Sequence, residues 1–130
     1  MEYQEITSVE KIFEALSLPV TAVPDLSLIP EKDREPIMSH YLMLKAIEAI
    51  NPVGFIADLS NFKQTKVYLW PDVEKDASKP SGFGFSYNDY SPASADATVG
   101  ARRAFADSAR AKHFWKHFQH LYESYSIIKN

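Results

Sequence analysis

Lys66-Val67-Tyr68-Leu69-Trp70, Gly82-Phe83-Gly84-Phe85-Ser86-Tyr87 and Val99-Gly100-Ala101-Arg102-Arg103-Ala104-Phe105 decide how this chain reads. In the first two stretches aromatics alternate with other residues. Tyr68 and Trp70 therefore share one side of a strand, and Phe83, Phe85 and Tyr87 one side of another. The three stretches predict a small antiparallel meander with strands at 66–70, 82–87 and 98–105. The connections at 71–81 and 88–97 are polar, contain proline and exceed a tight hairpin, which predicts loops at the strand ends suited to adaptable contacts. Rings at strand spacing first supply a domain with a buried face, so they are expected in the core. Gly82, Gly84 and Ser86 leave the other face flat enough for a partner to approach closely.

Helices are expected on either side of this region. Thr7-Ser8-Val9-Glu10 fits a capping box, and Val9, Ile12, Phe13 and Leu16 recur at helical spacing, predicting a helix over 8–17. Pro19 and Pro24 hold the following segment extended. A second helix is predicted over 34–50: acidic Glu31, Asp33 and Glu35 suit its start and Asn51-Pro52 its stop. Its expected core stripe is Ile37, Tyr41, Leu44, Ile47 and Ile50, with Met38 and Met43 beside it and His40 off it, as a partly exposed helix residue. Phe55, Ile56, Leu59 and Phe62 are expected to anchor an irregular connection over 53–65. The strongest periodicity comes last: after a cap at Asp107 or Ser108, residues Ala111, Phe114, Trp115, Phe118, Leu121, Tyr122 and Tyr125 mark a core helix over 108–125. That helix should pack on Tyr68, Trp70, Phe83 and Phe85 or on the second helix. The fold class expected is α+β: one domain over 1–130, a sheet of about three strands, two N-terminal helices and one C-terminal helix.

Composition restricts the chemistry. The 130 residues contain no cysteine, which removes disulfides, thiolate catalysis and cysteine-ligated zinc. Met1-Glu2-Tyr3-Gln4-Glu5 is not the basic, then apolar, start of a secretory signal, and no run approaches the roughly 20 apolar residues of a membrane span. A cytoplasmic location is therefore expected. The net charge of -3 hides an asymmetry: residues 101–130 hold 6 Lys/Arg and 2 Asp/Glu, whereas residues 1–100 hold 8 and 15. A basic element on an acidic body steers charged partners.

Three constellations bear on function. His113, His117 and His120 form a stripe able to offer imidazoles to one metal ion, but Lys112 and Lys116 put positive charge beside it and no carboxylate completes it, so no metal is expected. The aromatic strands, with Lys66, Arg102 and Arg103 close by, suit stacking of single-stranded bases over tracked phosphates, a nucleic-acid alternative to the core reading. Enzyme signatures do not occur: Gly82-Phe83-Gly84 lacks the third glycine of a phosphate loop, and there is no Gly-x-Ser-x-Gly or His-Glu-x-x-His. No catalytic residue and no cofactor are expected.

Pro30-Glu31-Lys32 before a helix with His40-Tyr41-Leu42, then Ala49-Ile50-Asn51, Lys66-x-Tyr68-x-Trp70, Pro80 to Ser86, Val99-Gly100-Ala101-Arg102 and Phe118-x-x-Leu121-Tyr122 follow one another over about Ile29 to Tyr125. In that order they resemble a family of small uncharacterised proteins of Bacteroidetes genomes, prophages and phages. The chain departs from the family pattern over Ala101–Phe105, and the histidines at 113, 117 and 120 are not part of it. The resemblance implies a mobile-element setting in a bacterial host without an established activity. In that setting a small single domain commonly binds a host or phage macromolecule, for example as an anti-CRISPR-like inhibitor of a defence nuclease. The expected function is therefore non-enzymatic binding of a protein or nucleoprotein complex. The face would be formed by Arg102, Arg103, Lys112, His113, Lys116, His117 and His120 with the loops at 71–81 and 88–97. Single-stranded nucleic-acid binding, a small enzyme and a minor virion component are the alternatives.

Overall fold

Two antiparallel helices carry most of this fold. The computed structural model describes residues 1–61, 63–69, 72–75, 78, 83–86, 90–93 and 100–126, with backbone alone for 72–75, 83–86 and 90–93. A 3-10 turn (Tyr3–Glu5) leads into α1 (Val9–Ala15). Ser8, one residue past the expected cap, accepts from the Lys11 backbone N–H at 3.4 Å. α1 ends as Ser17 takes a φ of 54°, and the N–H groups of Ser17 and Leu18 return to the Glu14 and Phe13 carbonyls at 3.1 and 2.9 Å. These bonds satisfy carbonyls that the helix end would otherwise orphan.

α2 (Glu31–Ile50) begins directly after Pro30 and carries Pro36 inside it. Its buried stripe is Ser39, Met43, Ala46, Ile47 and Ile50, rotated from the expected one, and Ile37 is 40% exposed. The Tyr41 hydroxyl donates to the Ala22 carbonyl at 2.5 Å, tying the proline-rich segment to the helix. α3 (Ser108–Ser126) is capped by Asp107, whose Oδ1 accepts from the Arg110 N–H at 2.8 Å. Ala111, Phe114, Trp115, Phe118 and Leu121 are buried, as their spacing predicts, and the helix kinks at Phe118 (φ -128°, ψ 15°). Among the described elements the largest interface is α2 against α3. The helical alternative for the packing of α3 is therefore the one realised.

The expected three-stranded sheet does not form, and the described chain is mostly helical. β1 (Lys66–Leu69) pairs antiparallel with β4 (Tyr90–Ala93), in register Lys66↔Ala93 to Leu69↔Tyr90, while β2 (Asp72–Lys75) pairs with β3 (Phe83–Ser86). These are two separate two-stranded ladders rather than a meander. At the third expected strand, Gly100 (φ 87°) turns the chain into a second 3-10 turn (Ala101–Arg103). Among the described residues of that stretch one pairs: Val67 and Phe105 exchange N–H···O bonds of 2.9 and 2.8 Å.

Asn51 closes the opposite edge of that bridge. Its Nδ2 donates to the Ala104 carbonyl and its Oδ1 accepts from the Ala106 N–H, both at 2.9 Å. The outward backbone groups on either side of Phe105 are thus taken by a side chain from the end of α2, and no further strand can add there.

β1 corrects the aromatic reading as well. All four of its residues are buried, so both its faces are covered. Val67 and Leu69 join the core formed by α2 and α3, while Tyr68 points into a separate cluster with Ala57 and Ala104. The period of two holds, but the aliphatic side faces the helices. Trp70 and Tyr87 lie outside the described residues, as do the side chains of Phe83 and Phe85. Of the expected anchors in the connection, Phe55 and Leu59 are half-buried, Ile56 is 78% exposed, and Phe62 lies outside the described residues. Among the described residues no helix is long and apolar enough to cross a membrane.

Candidate partner-contact face on α3

Successive residues of a helix are offset by about 100°, so sealing Ala111, Phe114, Phe118 and Leu121 against α2 turns residues 112, 113, 116, 117 and 120 outward. Lys112, Lys116 and His120 are exposed, and His113 and His117 half-buried along one flank. That flank is covered by the first 3-10 turn. The Tyr3 ring meets His113 edge to face at 5.4 Å, Arg110 lies over the same ring at 4.6 Å, and His113 Nε2 donates to the Ile6 carbonyl at 2.8 Å. Ile6 itself is 1% exposed, which anchors the turn in the core.

His113 and His117 stack with ring centroids 4.6 Å apart. Burial, then the neighbouring His113 and Lys116, hold the His117 imidazole below its ordinary value. His120 leans away toward Phe118, at 6.4 Å between ring centroids. The three histidines expected as one stripe are thus a pair and an outlier. Among the described residues no group of three metal-ligating side chains comes together.

The two arginines of the expected face separate. Arg102 is exposed, whereas Arg103 is half-buried with its guanidinium 5.0 Å from the centre of the Tyr122 ring. Arg103 also acts on His40: burial and that guanidinium keep the His40 imidazole below its ordinary value. His40 packs on Tyr125 at 4.4 Å, and its buried Nδ1 meets no hydrogen-bond partner among the described residues. The loops at 71–81 and 88–97 lie largely outside the described residues; β2 and β4 occupy the parts that are described.

Of the strand residues named for base stacking and phosphate contact, Lys66 and Tyr68 are enclosed, while Trp70, Tyr87 and the side chains of Phe83 and Phe85 lie outside the described residues. Lys66 is 0% exposed, and its ammonium donates to the Asn61 carbonyl at 2.6 Å and the Gln64 carbonyl at 3.1 Å; Tyr68 is likewise 0% exposed. Neither can meet a nucleic acid at the surface. The contributions of Tyr3 and Ile6 to the α3 flank had no local signal in the sequence, since the Ile6 carbonyl lies 107 residues from its histidine. Compared with models of protein families, with curated proteins and with solved structures, the chain matches none, so its own residues carry the functional reading.

Proposed function

We propose that this chain is a non-enzymatic binding protein that engages an acidic segment of a macromolecular partner through the outward face of α3. The observation that carries the reading is the outward stripe of Lys112, Lys116 and His120, bordered by the His113–His117 pair, on a helix whose opposite side is sealed in the core. The charge contrast between residues 101–130 and the rest of the chain supports it. The resemblance to phage and prophage proteins suits such a role in the bacterial cytoplasm, inhibition of a host defence nuclease being its most specific form.

The test is charge reversal. Lys112→Glu with Lys116→Glu should slow association with the partner more than it changes dissociation, because exposed charges act mainly on encounter. Thermal stability should hardly change. An affinity capture from host lysate with the reversed variant as control reads this directly. Recovery of the same proteins by both forms would place the contact elsewhere.

A further inference from the structure

A neutral His113 has one ring proton to give, and the Ile6 carbonyl takes it, because that oxygen 2.8 Å from Nε2 can only accept. Nδ1 is then bare. The ring can donate to a second acceptor only after binding a second proton. His117 is stacked on it at 4.6 Å, and Lys112 and Lys116 stand exposed beside the pair.

Charged and titratable groups stand around the pair on both elements that meet there. From the 3-10 turn come the Tyr3 ring and Glu5, whose carboxylate accepts from the Glu2 backbone N–H at 2.7 Å. From α3 come Lys112, Lys116, His120 and Arg110, the last ion-paired with Asp107 and lying over Tyr3. The charges that bear on His117 are those of His113 and Lys116. Lys112 and Lys116 stand exposed on this face, and burial, then His113 and Lys116, hold the His117 imidazole below its ordinary value.

We propose that recognition at this face is proton-coupled: a partner carboxylate docking across Lys112, Lys116 and the His113–His117 pair draws a proton from solvent onto the pair, so affinity for an acidic peptide segment rises as pH falls. With that proton, His113 donates from Nε2 to Ile6 and from Nδ1 to the carboxylate, and the docked anion opposes the burial and neighbouring positive charge that hold the His117 imidazole below its ordinary value. The inference rests on reading α3 as the contact face.

Calorimetric titration of the full chain with oligo-aspartate tests it, since aspartate carboxylates titrate near about 3.9 and stay charged between roughly pH 5.5 and 7.5. Heats in two buffers of different ionisation enthalpy count the protons. Uptake should approach about one proton below neutrality, with affinity tightening by up to roughly tenfold per pH unit. In His113→Gln/His117→Gln the new amide at 113 can still donate to Ile6 while neither position titrates, so the pH dependence should vanish. His120→Gln should leave the dependence in place. Binding without proton uptake, or uptake undiminished in the double variant, overturns the coupling but leaves the contact face standing. Failure of oligo-aspartate to bind at any pH in that range, including the case in which a single-stranded oligonucleotide binds instead, overturns the contact reading itself.

Discussion

The α2–α3 interface has a dry half and a wet half. Where the C-terminal half of α2 meets the first turns of α3, Met43, Ala46, Ile47 and Ile50 close on Ala111, Phe114 and Phe118, all of them nearly inaccessible. At the other end, Ser39 donates to the Ser124 hydroxyl at 2.9 Å and Ser124 to the Glu35 carboxylate at 3.0 Å, with His40 and Tyr125 stacked alongside. One pair of helices thus combines a packed apolar half, where volume decides stability, with a hydroxyl and imidazole half, where hydrogen bonding and protonation decide it. Substitutions should separate the two.

The largest effect is expected in the dry half. Phe118 is 0% exposed and sits where α3 kinks. Phe118→Ala should destabilise the fold by about 3–5 kcal/mol, the usual range for truncating a buried phenylalanine. Chemical denaturation should show it as a lower midpoint with little change in slope. An unchanged midpoint would mean that this half is not the principal core.

At the end of the dry half, Asn51 bonds both to the Ala104 carbonyl and to the Ala106 N–H, and Arg110 Nε donates to the Ile50 carbonyl at 2.9 Å. Asn51→Ala would strand two backbone groups at once, and a loss of about 2 kcal/mol is expected. Asn51→Asp keeps the acceptor for Ala106 but sets a carboxylate against the Ala104 oxygen, so it should fall between the parent and the alanine variant at pH 7. Hydrogen exchange at the Phe105 amide, which donates to Val67, would report whether the single bridge opens when Asn51 is lost.

These residues also show what the sequence can and cannot tell. α3 was legible because Ala111, Phe114, Trp115, Phe118 and Leu121 repeat every three or four residues, and helical spacing is a local property. The α2 stripe was misplaced by part of a turn, since Ile37 and Ile47 look equally apolar and only the position of α3 decides between them. The strand at 98–105 was read from its residue types, but Gly100 leads into a 3-10 turn and the Ala104 carbonyl is taken by Asn51, a partner 53 residues away along the chain. β4 contains Pro92, which reads as a loop residue yet pairs opposite Val67. Lys66 gave no hint of burial, because its acceptors are loop carbonyls available only in the folded state. The basic residues of the contact face were legible as a list. Their division into an outward stripe, a histidine pair held by Ile6 and an Arg103 held by Tyr122 was not.

The smallest expected effect belongs to the wet half and to the histidine flank, and it appears as pH dependence. Burial and Arg103 lower the folded value of His40, and burial, His113 and Lys116 lower that of His117. In the unfolded chain both return to about 6.5. As pH falls through that value the unfolded chain binds protons that the folded chain still refuses, so folding stability declines until the lower folded values are reached. Above about pH 7 both forms are neutral and the two residues add no pH dependence. The midpoint of thermal unfolding should therefore fall between neutral and mildly acidic pH, and His40→Gln combined with His117→Gln should flatten that part of the profile. The carboxylates of Asp25 and Asp58, whose values are lowered by hydrogen bonds from Ser27 and Ser60, titrate at more acidic pH and leave this window to the histidines. A profile equally steep in the double variant would shift the acid sensitivity to another group and remove the distinction drawn between the two halves of the interface.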